Sequence, residues 1–539
     1  MIFIRKKHLS FWLDNEESLK FHPLKNETTV DVAIIGGGIV GITTGLMLKN
    51  KGFKVAIIES KRMASDVTGS TTAKLSICSS INYAQILSGS GEEIALKFKE
   101  ASILAFDKIS EIIKEYKIDC DYERMPLYIY SSNKKNFKDI KKEYDALKTL
   151  NIDVDLTNEF LTPFNEELPN EYNENNENSK SNESKENNIE YHNNGDNNPE
   201  NYENIVNKAI KYNNQAQFHP KKYSDALIKH IKGDGSYIFE RCKVLGIEEG
   251  EINRVKTENG DVLAKSVVIA TNSPIYDPDS TLSYMTPVKS YMLGVYVKEE
   301  LPDAMFVDIN PFHTFRKTPT KKGDLLIIAG EHHITGHSKN TSDNFKKLIE
   351  FTKEKFELKD IGYFWSNQDN RPSDGLPIIG ETSQKGIYVA TGFGSWGMIK
   401  STLTGMVLTD LISNKDNSYA EILSPKRLKN QKSIKKKCVS NFNTKDLNDE
   451  ELKIVNDAIS KLKIDEAKIV ELPGRGVSIY KDSESNVFAL HANCAHYGCR
   501  LSWNSAEKTW DCPQHGSMFD YKGNAIHGPT INNLKSYLK

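Results

Sequence analysis

The chain has 539 residues, a length typical of several domains, and its formal net charge is −2. A balance this close to neutral gives no electrostatic reason to expect nucleic acid or an anionic membrane surface as a partner. The longest apolar stretch, residues 386–412, contains Lys400 and several glycines. It is therefore interpreted as a strand followed by a buried helix, and no transmembrane segment is expected.

The cysteines bear on the cellular compartment. The chain has seven, an odd number for a disulfide framework, and three of them lie close together near its end: Cys494, Cys499 and Cys512. Residues 1–13 also lack the apolar run of a secretory signal. We therefore expect a reducing cytoplasm, and a metal site rather than a set of disulfides.

A glycine turn between two strands organises the first part of the chain. The apolar run Val32–Ile35 predicts a buried strand, a helical pattern follows, and a second apolar run ends at Glu59. Three glycines between the first strand and the helix have the spacing G-x-G-x-x-G: Gly36, Gly38 and Gly41. Such glycines let the backbone approach a diphosphate at the helix N terminus. A carboxylate at Glu59 accepts from ribose hydroxyls and disfavours NADP, whereas the spacing alone leaves FAD and NAD open.

Further segments follow in chain order. The hydroxyl-rich loop from Asp66 to Lys74 suits contact with a flat cofactor or, alternatively, an ordinary turn. Residues 165–204 are rich in Asn and Glu and poor in aliphatic residues, which predicts a disordered insertion. Paired strands are expected at residues 237–246 and 248–257, and a buried strand at residues 265–271 ends at Thr271. Strands at residues 285–297 and 324–329 suggest a second sheet.

A second glycine pattern lies before the apolar helix at Met398–Ile412. It consists of Gly392, Gly394 and Gly397, and it follows a predicted strand at Ile387–Thr391. Because no acid-ended strand comes after it, it does not form another complete dinucleotide unit. A helix N terminus at this position offers partial positive charge to a reduced flavin.

Two cysteine–histidine pairs near the end point to a metal centre. Cys494 and His496 form one pair, and Cys512 and His515 form the other. Two thiolates on one iron and two imidazoles on the other describe a Rieske 2Fe–2S centre, whereas the same four residues also suit tetrahedral zinc. The neighbouring residues favour the Rieske centre: Tyr497-Gly-Cys499, Trp510-Asp-Cys-Pro, His515-Gly-Ser517 and Gly528-Pro529. Over residues 465–539 the chain resembles the Rieske family.

Two positions depart from the high-potential members of that family. Those members join the two cluster loops by a disulfide; Cys499 matches one half, but Gln514 occupies the other, so this bridge is expected to be absent. They also bond a tyrosine hydroxyl to a cysteine sulfur where this chain has Phe519, while the serine donor, Ser517, is kept. A hydrogen bond to a charged group is worth about 1.5–3 kcal/mol. We therefore expect a cluster potential in the lower part of the Rieske range.

The other ordered stretches resemble one superfamily of flavoproteins. In chain order they are GGGIVG, TGSTTAK, QFHPKKY, VVIATN, DGLPIIG and ATGFGSWGM. Together they look like the FAD-dependent D-amino-acid oxidase superfamily, and within it like bacterial glycine/amine-oxidase-like flavoproteins with a C-terminal Rieske domain. The resemblance implies an α/β Rossmann-like FAD-binding domain interleaved with an α+β substrate domain in residues 1–425. A linker at 426–446 and a small all-β Rieske domain at 447–539 would follow.

The resemblance also assigns residues to cofactor and substrate. It implies FAD, held by short segments that contain Gly36, Gly38, Gly41, Glu59, Thr71, Thr72, Lys74, Thr271, Asp374, Gly392, Gly394, Gly397 and Met398. Family members place an Arg or Tyr over the flavin to hold a carboxylate. Arg371 stands at the position that glycine-oxidase-like proteins use, and Tyr291 and Trp396 are further candidates. A structural role is the alternative for each of these three residues.

The resulting hypothesis is a flavin dehydrogenase that oxidises a small amine or amino acid. Electrons would pass from reduced FAD to the Rieske cluster and then to an external acceptor, a protein or a quinone. One alternative is an oxygen-using amine oxidase with an accessory Rieske module. Another is a redox-sensing or electron-delivery flavoprotein with no amine substrate, for which the Lys-rich stretch 426–437 would be a docking patch. Electron flow from the cluster to the flavin is a third.

Overall fold

The computed structural model describes residues 8–14, 19–78, 80, 82–157, 209–431, 433 and 445–538. The expected insertion at 165–204 and most of the expected linker lie outside these residues. The α-helices of the described residues are α1 (Ile39–Asn50), α2 (Tyr83–Ser90), α3 (Glu92–Glu115), α4 (Phe137–Thr149), α5 (Pro220–Ile228), α6 (Thr341–Lys355), α7 (Gly397–Ile412), α8 (Ala420–Leu423) and α9 (Asp449–Ser460). None of them combines the length and the apolar character needed to span a bilayer.

The strands divide between two large sheets and two small ones. In chain order they are β1 (Thr28–Ile35), β2 (Val55–Ile58), β3 (Lys74–Leu75), β4 (Glu123–Tyr130), β5 (Val154–Thr157), β6 (Ala209–Gln217), β7 (Tyr237–Phe239), β8 (Val244–Glu248), β9 (Asn253–Thr257), β10 (Gly260–Asn272), β11 (Met285–Val297), β12 (Met305–Ile309), β13 (Phe312–Thr320), β14 (Gly323–Ile334), β15 (Leu358–Pro372), β16 (Ile378–Glu381), β17 (Ile387–Thr391), β18 (Ala467–Leu472), β19 (Arg475–Lys481), β20 (Val487–His491), β21 (Ser502–Asn504), β22 (Thr509–Asp511), β23 (Met518–Asp520) and β24 (Ala525–His527).

The first large sheet has the strand order β16-β17-β10-β1-β2-β7, with β9 and β8 added beyond β10. Strands β17, β10, β1, β2 and β7 run parallel. The inner strands are buried along most of their length, which explains their continuous apolar sequence. Helices α1 and α7 pack side by side; a Cβ at Gly405 would lie 2.8 Å from the sulfur of Met47. Small residues therefore permit this close helix contact.

The second large sheet has the order β15-β11-β14-β13-β12-β4-β6-β3, and β5 pairs with β6. All its described pairs are antiparallel except β12 with β4. The chain passes from the first sheet to the second after β2, returns at β7, leaves again at β11 and returns at β16. The chain thus alternates between a lobe built on the parallel sheet and a lobe built on the mostly antiparallel sheet.

The C-terminal domain, residues 445–538, contains a three-stranded sheet (β18-β19-β20) and a four-stranded sheet (β21-β22-β23-β24). Helix α9 begins with a full capping box, in which the side chains and backbone N–H groups of Asn448 and Glu451 exchange hydrogen bonds. Glu451 also forms a buried ion pair with Arg475 of β19. These contacts attach the helix to the first small sheet, and the strands of the domain confirm the predicted small β fold.

One sequence-based pairing is wrong. The pattern predicts a single strand at residues 237–246 paired with 248–257, but β7 ends at Phe239 and extends the first sheet beside β2. The hairpin instead joins β8 to β9. Cys242, between β7 and β8, and Val244, the first residue of β8, are both buried. Apolar character alone therefore does not show where the chain leaves β2 and begins the hairpin.

Candidate active site and metal centre

The glycine turn connects β1 to α1 at the edge of a cavity, called the main cavity below. Gly36 has φ +112°, and a Cβ there would lie 2.5 Å from the carbonyl oxygen of Ala270. A Cβ at Gly41 would lie 2.0 Å from the carbonyl oxygen of Gly36. The backbone therefore leaves a cradle that larger residues would fill. Gly38 is the N-cap of α1 and lines the same cavity, which places the positive end of the helix there.

Glu59 follows β2 and also faces this cavity. Its Oε2 accepts a hydrogen bond from the N–H of Gly37 at 2.7 Å, and its Oε1 accepts from the N–H of Lys61 at 2.7 Å. Burial raises the pKa of the Glu59 carboxyl, and these two bonds oppose that rise. The carboxylate therefore fixes the glycine turn, and its role towards a ribose stays a prediction.

The main cavity measures about 410 Å³ and has walls from both large sheets and from the C-terminal domain. Its lining includes seven of the residues assigned to FAD from the sequence: Gly36, Gly38, Glu59, Thr71, Thr271, Gly397 and Met398. A cavity that runs from a glycine cradle to the N terminus of a second helix suits an elongated dinucleotide. The residues present thus fit FAD.

A smaller cavity of about 60 Å³ adjoins the main one. The two share the lining residues Thr71, Asn367, Asp369, Ser395, Gly397 and Met398. The remaining wall of the smaller cavity comes from the second sheet and from neighbouring loops: Ser70, Thr72, Lys74, Ser290, Met292, Phe312, Thr314, Ala329, His332 and Trp396. Thr72 and Lys74, which the sequence assigned to FAD, therefore lie at this smaller cavity.

Lys74 brings a buried amino group to the smaller cavity. The residue is 4% exposed, and its Nζ donates a hydrogen bond to Oγ1 of Thr314 at 2.9 Å. Burial and the nearby charge of Arg316 hold the pKa of Lys74 well below its usual value. Arg316 donates to the carbonyl oxygens of Ala73 and Phe218, and burial lowers its pKa to about 9, so it stays charged at neutral pH.

Two of the substrate candidates lie outside both cavities. Ser290 and Met292 of β11 face the smaller cavity, and strand alternation therefore turns Tyr291 to the opposite face. There its hydroxyl pairs with Nε2 of His333 at 3.0 Å. Arg371 does not line either cavity; its guanidinium carbon is 5.9 Å from the ring centre of Phe312, which lines the smaller one. Trp396 is the one candidate of the three that lines the cavity.

The turn at Asp374 and the second glycine loop lie near the cavities, but three of their predicted FAD residues do not line them. Although burial opposes it, Arg427 lowers the pKa of Asp374; the guanidinium Nε lies 2.8 Å from Oδ2. Gly392 and Gly394 have φ of +73° and +61° in the loop between β17 and α7. These three residues do not line either cavity; the loop instead presents Phe393 and Ser395. Gly392 and Gly394 shape this loop through their backbone conformations, and Asp374 lies in the turn between β15 and β16.

The sequence analysis missed Asp369, a buried carboxylate at the junction of the two cavities. Its Oδ2 accepts from the N–H of Ser395 at 2.5 Å, and its Oδ1 accepts from the N–H of Asn370. Burial raises the pKa of this carboxyl. Burial likewise lowers the pKa of the nearby Lys400 to about 8, and its Nζ donates to the carbonyl oxygen of Phe393. No sequence-based element covered β15, and the continuous burial of Gln368, Asp369 and Asn370 gives no periodic pattern that would mark Asp369.

The two cysteine–histidine pairs lie close together in two loops of the C-terminal domain. Cys494 and His496 lie in the loop between β20 and β21, and Cys512 and His515 lie between β22 and β23. A hydrogen bond from Cys512 lowers the pKa of the Cys494 thiol to about 7. The two imidazole ring centres are 5.2 Å apart, with the ring planes at 83°. Burial lowers the pKa of His496 to about 4, which keeps its imidazole neutral.

This arrangement fits a 2Fe–2S cluster better than a single metal ion. The thiols lie beside each other and the imidazoles lie beside each other, as two iron atoms with separate ligand pairs require. Across the described part of the chain, no three His, Cys, Asp or Glu side chains converge on a point that could hold one ion. The Nδ1 atom of His496 is buried with no hydrogen-bond partner, which leaves it available to a ligand.

Cys499 departs from the sequence-based expectation. Position 514 is a glutamine, so the cluster-loop bridge of the high-potential proteins cannot form, but Cys499 is nevertheless disulfide-bonded. Cys494 and Cys512 are free, as are the other described cysteines, Cys78, Cys120 and Cys242. A disulfide here weakens the argument from cysteine usage for a reducing compartment, and the cytoplasmic location stays a prediction.

The C-terminal domain is docked on the second sheet through buried polar contacts. Nζ of Lys289, a residue 1% exposed, forms an ion pair with Glu507 and lies 3.7 Å from Oδ2 of Asp511. At another contact, Oγ1 of Thr341 donates to Oδ1 of Asn504 at 2.7 Å. The cluster-bearing domain and the cavity-bearing lobes are therefore held together at several points.

The fold, the cavity and the ligand pairs define an FAD-dependent oxidoreductase with a Rieske domain. Sequence comparison agrees: residues 31–411 match the family of FAD dependent oxidoreductases, and residues 453–538 match the Rieske [2Fe-2S] domain. The chain belongs to the FAD dependent oxidoreductase family, and its cofactors are FAD and a Rieske 2Fe–2S cluster. When bound, FAD accepts a pair of electrons from a substrate, and the cluster carries one electron at a time.

The proteins similar to this chain include sequence relatives and solved structures. YhfW of Bacillus subtilis (strain 168), named as a putative Rieske 2Fe-2S iron-sulfur protein, is 30% identical over 99% of this chain and 98% of its own length. A D-amino acid dehydrogenase of Rhizobium rhizogenes is 28% identical over 32% of this chain and 42% of its own length. Glycine oxidase from Geobacillus kaustophilus has a TM-score of 0.55 at 19% identity, covering 74% of this chain and 98% of that one. L-Proline dehydrogenase from P. horikoshii has a TM-score of 0.53 at 19% identity over 76% and 98%. At such low identity the solved structures show a shared fold.

Proposed function

We propose that this oxidoreductase oxidises the C–N bond of a small amino acid, or of a related amine, and passes the electrons through its Rieske domain to an external acceptor. The observation that carries the substrate proposal is the smaller cavity, which adjoins the FAD cavity and contains the buried amino group of Lys74. The names of similar proteins, D-amino acid dehydrogenase and glycine oxidase, support the same class of substrate.

The charges around the smaller cavity favour a carboxylate on the substrate. Lys74 and Arg316 are both almost fully buried, and among the described residues neither forms an ion pair with a carboxylate. Burying positive charge without a partner is costly. A substrate carboxylate in the cavity would restore the charge of Lys74 and accept its hydrogen bond. We therefore favour an amino acid over a simple amine.

The other walls of the smaller cavity suit a small side chain. Met292, Phe312 and Trp396 supply apolar surface, and Ser290 and Thr314 supply hydroxyls. His332 also lines the cavity; burial, followed by the charge of Arg371, keeps its pKa well below the usual value, so it is neutral. A volume of about 60 Å³ limits the substrate to a few non-hydrogen atoms unless the walls move.

The cluster has a side from which an external acceptor could approach. Tyr497 lies beside both histidines, with its ring centre 4.0 Å from that of His496 and 5.6 Å from that of His515. This tyrosine is 56% exposed, although His515 is buried. An acceptor that contacts Tyr497 would thus come close to the histidine-ligated side of the cluster, where a protein or a quinone could bind.

Anaerobic mixing with candidate substrates tests this proposal. The holoenzyme is mixed with D- and L-forms of small amino acids, with glycine and with the matching amines, and flavin absorbance and the cluster signal in electron paramagnetic resonance are followed. We expect amino acids to bleach the flavin and the cluster to be reduced afterwards. Bleaching by amines alone would overturn the carboxylate proposal. Fast reoxidation by oxygen with an unchanged cluster would favour an oxidase, and no bleaching by any C–N substrate would overturn amine oxidation.

A further inference from the structure

We propose that the FAD site is composite, and that His527 of the Rieske domain forms a hydrogen bond with an oxygen of the FAD chain between its two ring systems. His527 would then be a cofactor-binding residue contributed by the domain that carries the other cofactor. This inference needs only FAD binding, so it does not depend on the identity of the substrate or of the acceptor.

The first observation is the wall of the main cavity. Alongside the glycine turn and Glu59, it contains residues of strand β24 and the segment after it: Ala525, Ile526, His527, Gly528, Thr530 and Ile531. The FAD cavity is therefore bounded in part by a domain that is not part of the cofactor lobe. Any dinucleotide that fills this cavity contacts the Rieske domain.

The second observation is an unsatisfied atom of His527. Its side chain is 9% exposed, and its Nε2 is buried with no hydrogen-bond partner. The other ring nitrogen, Nδ1, lies 3.8 Å from Oδ2 of Asp66. A buried polar atom without a partner is destabilising, so such an atom in a cofactor cavity indicates a missing ligand group. The oxygens of a diphosphate or a ribityl chain supply that group.

The position of Asp66 locates His527 along the cavity. Asp66 precedes the loop in which Oγ1 of Thr68 accepts a hydrogen bond from the N–H of Ile39 at 2.9 Å, at the start of α1. Helix N termini that follow a glycine turn bind diphosphate groups. His527 therefore lies near the diphosphate end of the site, and Asp66 orients its ring from the side opposite to Nε2.

The segment after β24 packs against the end of β10 without using the side chain of His527. A Cβ at Gly528 would lie 3.0 Å from the carbonyl oxygen of Ser273, so the backbone packs directly against the end of β10. The domain is also anchored by the Thr341–Asn504 hydrogen bond on another part of the interface. Replacing His527 can thus remove one bond to FAD while the domain stays docked.

The test measures FAD binding in full-length protein, by the fluorescence of released FAD and by titration of the apoprotein. Loss of a hydrogen bond to a charged oxygen corresponds to about a 10- to 100-fold rise in Kd. We expect this rise for His527→Ala and His527→Phe, and near-normal affinity for His527→Gln, which retains a polar group. Lys522→Ala, an exposed change between β23 and β24, serves as the control and should bind FAD normally.

A docking control separates a direct bond from a general loosening of the domain. Asn504→Ala removes the interface hydrogen bond to Thr341 at a position that does not line the FAD cavity. Limited proteolysis reports whether the domain stays docked in each variant. Unchanged FAD affinity in His527→Ala would overturn the proposal. So would an equal loss of affinity in His527→Gln, or an equal loss in Asn504→Ala with the domain still docked.

Discussion

The side chain of Gln368 joins the wall of the cofactor cavity to the loop that carries the cluster: its Nε2 donates a hydrogen bond of 2.8 Å to the carbonyl oxygen of Gly516. Gln368 lies between Asn367 and Asp369, which line both cavities, and Gly516 directly follows His515. A Cβ at Gly516 would lie 2.6 Å from this Nε2, so the contact requires glycine. One hydrogen bond thus connects the two redox sites by a short bonded route.

We predict that Gln368→Ala slows electron transfer between flavin and cluster without changing flavin reduction by substrate. A neutral hydrogen bond contributes about 0.5–1.5 kcal/mol. If its removal raises the activation free energy of electron transfer by this amount, the step slows about 2- to 10-fold. Stopped-flow absorbance of both cofactors measures the two steps separately. Thr335→Val is the matched control, because it removes the hydrogen bond to Oε1 of Gln368 and keeps the bond to Gly516. Equal transfer rates in wild type and Gln368→Ala would contradict the prediction.

A second prediction concerns the buried ion pair between the domains. Lys289→Met leaves Glu507 and Asp511 without their cation, and breaking a buried pair in this way costs about 3–5 kcal/mol. We expect a lower midpoint of thermal unfolding and faster proteolytic release of the C-terminal domain. Lys298→Met is the control: its pair with Glu357 is more than half exposed and is worth about 1 kcal/mol or less. Similar stability losses in the two variants would argue against a docking role for Lys289.

The same pair predicts how docking depends on pH. Lys289 lowers the pKa of Glu507, although burial acts to raise it. The Glu507 carboxylate therefore stabilises docking above the ordinary glutamate pKa, and this stabilisation is lost as pH falls below it. Burial acts to lower the pKa of Lys289, but Glu507 and Asp511 raise it. The charged Lys289 therefore stabilises docking fully below the ordinary lysine pKa, and this stabilisation is lost as pH rises through the raised pKa. Relative to the intrinsic exchange rate at each pH, amides at the interface should be most strongly protected between about pH 4.5 and 10, and in Glu507→Gln the acid limb should disappear.

The sequence predicts the features that short spacings determine. The turn at Gly36 and the acid at Glu59 lie within one strand–helix–strand unit, and the cluster ligands lie within two short loops. Tyr291 and Lys74 are harder to place, because the face that a strand residue occupies depends on pairing with distant strands; one residue of register exchanges the faces. His527 could not be found in this way, since its role depends on how two domains dock.

A further variant, Lys74→Met, tests the carboxylate proposal in the smaller cavity. Loss of a charge-assisted hydrogen bond of about 1.5–3 kcal/mol should raise KM for an amino acid about 10- to 100-fold and change kcat less. The KM for an amine without a carboxylate should stay the same. Arg371→Met is the comparison variant, and it should have the smaller effect because Arg371 does not line the smaller cavity. The opposite ranking would restore Arg371 as the carboxylate ligand.

The cluster potential provides the last prediction. The Ser517 hydroxyl acts as a donor towards the sulfur of Cys494 and helps to lower the pKa of that thiol. Such a bond stabilises the more negative, reduced cluster, so Ser517→Ala should lower the one-electron potential by about 65–130 mV, the equivalent of 1.5–3 kcal/mol. The buried Phe519 offers no hydroxyl, and the starting potential should already lie in the lower part of the Rieske range.

A redox titration followed by electron paramagnetic resonance measures that shift. Thr530→Val is the control, because the backbone N–H of Thr530 donates to Oγ of Ser517 and is retained in the variant. Its potential should match that of the wild type. A potential near the top of the Rieske range in the wild type, or no shift in Ser517→Ala, would show that hydrogen bonds to the cysteine sulfurs do not set the potential here. In that case the charge and burial around the two histidine ligands would have to account for it.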